Sequence, residues 1–302
     1  MNVVEEQISE VFARAGCEGR MHATTLDGAA EVAIGADASV TPASTIKVLV
    51  AIEAAARFAD GRLDPAMPVH LGEPQRTVGP VGLSLFTDDA TISARDLLVL
   101  MLTISDNVAT DALFGMIGIE TLNTAAERLG MTATVLPSDL RAMLDRVAAA
   151  AGFSSYAEID AALDDSDSAR IAEMERRLRQ APDLDPDTGM RTSARDMTTL
   201  LRAIWAGAAG PEDACARVRF NMIRQVSRAR IASGFGPGVK VAAKSGALLG
   251  VVRNEVGVVS FPAEPPYAVA VFTRTPGGNA DPRHLDAAIG EAAALAVEAL
   301  RS

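Results

Sequence analysis

The stretch Val251-Val-Arg-Asn-Glu-Val-Gly-Val-Val-Ser-Phe261, the link Pro262-Ala263-Glu264-Pro265-Pro266 and the run Tyr267-Ala-Val-Ala-Val-Phe-Thr-Arg274 read as two strands joined by a proline-rich turn. Beyond them, His284 to Arg301 is an Ala-rich helix. At the other end of the chain, Val3, Val4, Ile8, Val11 and Phe12 repeat at helical spacing up to Gly16. Arg20 to Leu26 and Ala30 to Ile34 flank Asp27-Gly28 as a hairpin, and Thr41-Pro42-Ala43 leads into an apolar helix from about Ser44 to Phe58. From Asp60 to about Gly210 the pattern is almost wholly helical. Strands at both ends of a helical middle predict an α+β fold, in which an antiparallel sheet from both termini is flanked by helices and carries an inserted all-α lobe. The expected boundaries are 1–60 and 211–302 for the sheet lobe and 61–210 for the helical lobe. Chemistry is expected in the cleft between them. Residues 141–190, rich in Ala and Asp with a helix from Asp167 to Arg179, form an atypical insertion.

With 302 residues, 49% of them hydrophobic and 22% charged, the chain has a folded protein's composition and excludes disorder and collagen. Acids outnumber bases by 39 to 28, so no basic stripe is available for a nucleic-acid partner. Cys17, Cys215, His22, His70 and His284 are scattered without ligand spacing, which predicts no metal and no cofactor. Asp183, Asp185 and Asp187 mimic a calcium loop, but the glycine comes one place late at Gly189 and Ala194 stands where the closing glutamate belongs. Gly234, Gly236 and Gly238 precede Lys240 without the Gly-Lys-Ser/Thr of a phosphate cradle, so they read as a turn. No apolar run approaches the ~20 residues of a membrane span. The start Met-Asn-Val-Val-Glu-Glu lacks the basic head and apolar core of an export signal, which predicts a cytoplasmic protein.

Among the 28 basic residues only Lys47, Lys240 and Lys244 are lysines. Arginine stays protonated in proteins, whereas a lysine amine can be tuned into a base. Ser44 and Lys47 form Ser-x-x-Lys at a helix start, one turn apart, where the amine can activate the hydroxyl as a nucleophile. Ser105-Asp106-Asn107 follows the apolar helix Leu97 to Ile104. A hydroxyl there can relay a proton, and the Asn amide can hold a lysine amine and a substrate carbonyl. Lys244-Ser245-Gly246-Ala247 lies on an expected edge strand, with Lys244 offering charge to a carboxylate and the N–H groups of Ser44 and Ala247 forming an oxyanion hole. Each element alone is also an ordinary cap or turn. Their combination in this order, using two of three lysines, arises by accident in about one such sequence in ten thousand.

The three elements resemble those of the class A β-lactamases and the related penicillin-binding proteins. The likeness extends to Ala43-Ser44-Thr45-Ile46-Lys47, to Leu102-Thr103-Ile104-Ser105-Asp106-Asn107-Val108-Ala109 and to Thr192-Ser193-Ala194-Arg195-Asp196-Met197, and it covers about five-sixths of the chain. It implies that Ser44 is acylated, Lys47 is its base, Ser105 relays the proton, and Asn107 anchors substrate and lysine. It also implies that Lys244 and Ser245 receive the substrate carboxylate together with Arg253, in Arg253-Asn254-Glu255.

One family feature is missing. The Glu-x-x-Leu-Asn loop, whose glutamate activates the deacylating water, is replaced by Thr134-Val135-Leu136-Pro137-Ser138-Asp139-Leu140-Arg141. Asp139 is the nearest stand-in by position, with Glu158, Glu173 and Glu175 more remote. The expected function is a serine hydrolase acting on a small-molecule or peptide-like amide or ester through a Ser44 acyl-enzyme, with a β-lactam as default substrate. The alternatives are a penicillin-binding carboxypeptidase- or transpeptidase-like enzyme with slow deacylation, and a non-hydrolytic ligand-binding or sensing module.

Overall fold

The computed structural model describes residues 3–73, 76–163, 168–248, 251–276 and 281–302. Helix α1 (Val3–Arg14) buries Ile8, Val11 and Phe12 of the stripe read from the sequence, while Val3 is exposed. It leads into the hairpin β1 (Glu18–Thr25) and β2 (Glu31–Ile34), and after a single 3-10 turn over Ala43–Ile46 comes α2 (Lys47–Ala59). The middle of the chain holds β3 (Pro68–Leu71), β4 (Ala90–Ser93), α3 (Ala94–Thr103), α4 (Asn107–Ile117), α5 (Ile119–Arg128), α6 (Leu140–Ala151), α7 (Tyr156–Leu163), α8 (Ser168–Arg179) and α9 (Ala194–Trp205). Then follow α10 (Glu212–Met222), β5 (Lys240–Leu248), β6 (Val252–Ser260), β7 (Tyr267–Arg274) and α11 (Pro282–Arg301).

The main sheet has the order β2-β1-β7-β6-β5, antiparallel throughout, with strands from both termini side by side. Alternation along β5, β6 and β7 divides its faces. Val241, Ala243, Val259, Val269 and Val271 meet α1 and α11 on one side, while Ala242, Val256, Val258, Ala268 and Ala270 join the larger core around α2 on the other. Helix α2 is buried along almost its whole length, which explains why its sequence is apolar all round.

One expectation needs correction. The 61–210 region is not wholly helical, because β3 and β4 pair antiparallel from Pro68↔Ser93 to Leu71↔Ala90. The 141–190 insertion folds as α6, α7 and α8, and its core residues Leu144, Val147, Leu178 and Leu184 cluster with Ala43 and Val252. It therefore packs behind the turn that carries Ser44. Gly238 does lie in a turn, with φ 94°. No described helix is long and apolar enough to cross a membrane, and no group of three or more His, Cys, Asp or Glu among the described residues is placed to hold a metal ion.

Candidate active site

Three chain segments converge at the N-terminal end of α2. The first is the 3-10 turn Ala43–Ile46, which places Ser44 one turn before Lys47. Ala43 has φ 49°, in the left-handed region that costs a non-glycine residue on the order of 1–3 kcal/mol, a cost met where the surroundings fix the backbone. Those surroundings include the Asn254 amide, whose Nδ2 donates to the carbonyls of Thr41 (2.9 Å) and Pro42 (3.1 Å). Thr41 Oγ1 donates to Leu184 O at 3.0 Å, tying the same segment to the insertion.

The second segment is Ser105-Asp106-Asn107, between α3 and α4. Asp106 caps α4 by accepting the Ala109 N–H at 2.8 Å, and it also accepts the Leu83 N–H at 2.6 Å. Ser105 has φ 68°, so its carbonyl and hydroxyl both turn toward Lys47. Lys47 Nζ donates to Ser105 O at 2.7 Å and Asn107 Oδ1 at 2.8 Å, with Ser105 Oγ at 3.2 Å. Asn107 is held from behind, because its Nδ2 donates to Val78 O at 2.8 Å.

Lys47 has no solvent exposure, and burial lowers its pKa to about 7 against the pull of Asp106 and Asp111. A neutral amine has two N–H donors, which Ser105 O and Asn107 Oδ1 can take, leaving its lone pair toward a hydroxyl. The sign for pH follows: the basic form is the neutral one, so any reaction that needs it rises with pH through about 7. Any acylation of Ser44 that draws on this amine should quicken about tenfold between pH 6 and 8 and level off above, measured as adduct formation by rapid-quench mass spectrometry. A flat profile over that range would remove Lys47 as the base.

The third segment is edge strand β5. The Ser245 N–H donates to Gln225 Oε1, so it points off the sheet edge, away from β6. Antiparallel pairing alternates, so the Ala247 N–H two residues on faces the same way. Between them Gly246 meets the turn that carries Ser44. A Cβ there would stand 2.9 Å from Pro42 O, 3.0 Å from Ser44 N and 3.1 Å from Thr45 N, so only glycine admits this approach. Lys244 is fully buried, its Nζ donating to Ser245 O at 2.7 Å. Burial, and then repulsion from Lys47, hold its pKa well below the ordinary lysine value.

Arg253 sits opposite Ala247 in the register, but its guanidinium forks onto Asp286 of α11, Nε to Oδ1 at 2.9 Å and Nη2 to Oδ2 at 2.6 Å. Arg230 shares that carboxylate (Nε to Oδ1, 2.7 Å), while its Nη1 donates to Gly246 O at 2.8 Å and Asn254 O at 2.6 Å. Asp139 is the N-cap of α6, accepting the Ala142 N–H at 2.8 Å. Glu158 is exposed and bonded to Ser154, and Glu173 is engaged by Arg176 and Arg177, which draw its pKa down to about 2. The side chain of Glu175 lies outside the described residues.

The structure thus gathers Ser44, Lys47, Ser105 and Asn107 with the Lys244–Ala247 strand, and leaves Glu158 and Glu173 on the insertion's surface. Sequence reading passed over Asn254, Glu255, Gln225 and Arg230. The first two carry a signal, since the polar run Arg253-Asn254-Glu255 breaks into a valine-rich strand and its last two residues are fully buried.

The chain matches the beta-lactamase enzyme family over residues 3–300. It is 28% identical over 282 residues to the beta-lactamase regulatory protein BlaB of Streptomyces cacaoi, covering 89% of this chain and 88% of that protein. Similar solved structures include an ancestral class A β-lactamase (TM-score 0.78, 20% identity, 98% of this chain and 99% of that one). A variant of PBP-A in acyl-enzyme complex with penicillin G superposes with TM-score 0.75, at 22% identity over 99% of this chain and 96% of that one. The fold is that of the class A β-lactamases, and with the family match spanning nearly the whole sequence, the chain belongs to the beta-lactamase enzyme family.

Proposed function

We propose that this protein reacts with β-lactams through a Ser44 acyl-enzyme and releases the acyl group slowly. The observation that carries the reading is the buried Lys47 amine, held by Ser105 O and Asn107 Oδ1 with its pKa near 7. In the forward step the Ser44 hydroxyl loses its proton to Lys47, and Oγ bonds to the lactam carbonyl carbon. The carbonyl oxygen takes the charge beside the N–H groups of Ser44 and Ala247, and the ring C–N bond breaks as the nitrogen receives a proton through Ser105. Lys244 is ready to bind the lactam's carboxylate, because an incoming anion supplies the counter-charge that burial beside Lys47 denies it. Ser245 follows Lys244 on β5, and Arg253 lies across from Ala247 on β6.

Incubation with benzylpenicillin should add one penicilloyl mass per chain, on the tryptic peptide containing Ser44. An unchanged intact mass with unchanged penicillin would sink the reading. The likeness to a regulatory relative favours a second reading of the same chemistry, in which the lasting adduct is a signal. That reading gains if acylation alters binding to another macromolecule, and it fails if product is released at a steady rate.

A further inference from the structure

Glu255 is a fully buried carboxylate in the middle of β6, beside Val256, Val258 and Val259. Such a group costs several kcal/mol unless its oxygens are matched by donors. Here they are: Oε2 receives the Ile231 N–H at 2.6 Å, and Oε1 receives Gln225 Nε2 at 2.9 Å. Burial raises its pKa, while these donors and the cations Arg230 and Lys244 favour the ionised form. Gln225 Nε2 also reaches Ser227 O at 3.0 Å, and its Oε1 accepts the Ser245 N–H. Ser245 is the cross-strand partner of Glu255, so the chain of bonds starts and ends on one pair of the sheet.

The direction of that chain is set chemically. A side-chain amide has one donor end and one acceptor end, and an ionised carboxylate only accepts. With Glu255 on one side, the Gln225 NH2 must face it, so the Gln225 oxygen must face the Ser245 N–H. The following residue, Val226, donates its N–H to Thr103 O at 2.9 Å, at the end of α3 just before Ser105. The segment after α10 is therefore bonded both to the strand of Lys244 and to the helix that delivers Ser105.

We propose that Glu255 and Gln225 are positioning residues for Ser44 acylation: the buried carboxylate orients the Gln225 amide, and that amide holds the Ser245 N–H and the strand segment bearing Lys244, Gly246 and Ala247. The bond rests on geometry alone; its catalytic meaning rests on the acyl-enzyme reading above.

Glu255→Gln keeps the shape but places an amide donor where a pure acceptor stood, so one junction of the chain must meet donor to donor. The swapped double variant E255Q/Q225E restores a consistent direction: the amide now at position 255 accepts from Ile231 and donates to position 225, whose new carboxylate accepts from Ser245. The swap gives up the bond to Ser227 O, so recovery is partial. Two quantities are read in the full-length protein: hydrogen exchange of the Ser245 amide by NMR, and the second-order rate constant for benzylpenicillin adduct formation. E255Q should expose the Ser245 amide and slow acylation on the order of 10²-fold, the scale of a misplaced reacting group, with the double variant recovering at least part of both. The proposal is overturned if E255Q leaves either quantity unchanged, or if the swap recovers neither, which would reduce the pair to packing. Should the wild-type protein form no adduct, the acyl-enzyme reading fails by itself, and Ser245 exchange still decides the bond.

Discussion

Lys47→Arg should acylate about 10³-fold more slowly than the wild-type protein, within the 10²–10⁴ range contributed by a positioned general base. A guanidinium can still donate to Ser105 O and Asn107 Oδ1, so the bonds that join α2 to the turn before α4 survive. What it lacks is a lone pair at accessible pH. Because the site has no exposure, the bulkier head costs about 1–3 kcal/mol of packing, so the substitution alone confounds two effects. Lys47→Met separates them, since it keeps length and volume, removes the amine and leaves the two acceptors without their partner. The variants fail structurally for different reasons, and a shared loss of acylation with retained far- and near-UV circular dichroism assigns the loss to the missing base. Acylation of Lys47→Arg within tenfold of wild type would overturn the assignment.

Lys47 is legible in the sequence because lysine is so sparse there, and two of the three lysines fall in the motifs. The sheet is equally legible: β6 and β7 are long runs of β-branched residues around prolines, and register follows from alternation between a helix-covered face and a core face. Elements whose identity depends on partners are not. β3 and β4 are four residues each and pair only with one another, with Leu71 tucked into the main core, so no local pattern marks them. The left-handed backbone at Ala43 and Ser105 leaves no trace in residue type, because alanine and serine are held there against preference by Asn254, by Lys47 and by the turns around them.

The site is also a balance of charges. Lys47 and Lys244 are both buried, and Lys47 makes protonation of Lys244 harder, so a neutral Lys47 is the state in which Lys244 is most readily charged by a bound anion.

Deacylation should be the slow half of the reaction, giving a burst of one equivalent of product from a chromogenic cephalosporin followed by turnover at least about 10²-fold slower than acylation. Hydrolysis of the ester needs a base within hydrogen-bond reach of a water, and the carboxylates near the site are committed elsewhere. Asp106 accepts from Leu83 and Ala109, and Asp139 caps α6. Asp111 has the basicity, because burial raises its pKa, but it takes the Leu140 N–H at 2.9 Å, the Arg141 N–H at 3.0 Å and the hydroxyl of Thr77. These bonds anchor the start of α6 where the family's glutamate loop would stand, so the segment that replaces that loop is pinned as a helix end with a leucine, Leu140, buried in the insertion's core beside Ala43. Glu173 is drawn to a pKa of about 2, which makes it a weak base as well as a distant one. Lys47 remains near Ser44 and is neutral again once the serine proton has passed through Ser105 to the ring nitrogen, so it is the base left beside the ester, and the lifetime of the adduct measures how well it activates water. The decisive measurement is the mass spectrum of the adduct followed over hours after excess lactam is removed. Persistence of the acylated species is the expected result, and its disappearance within seconds would mean that one of these bonded carboxylates, or Lys47, is free to activate water after all.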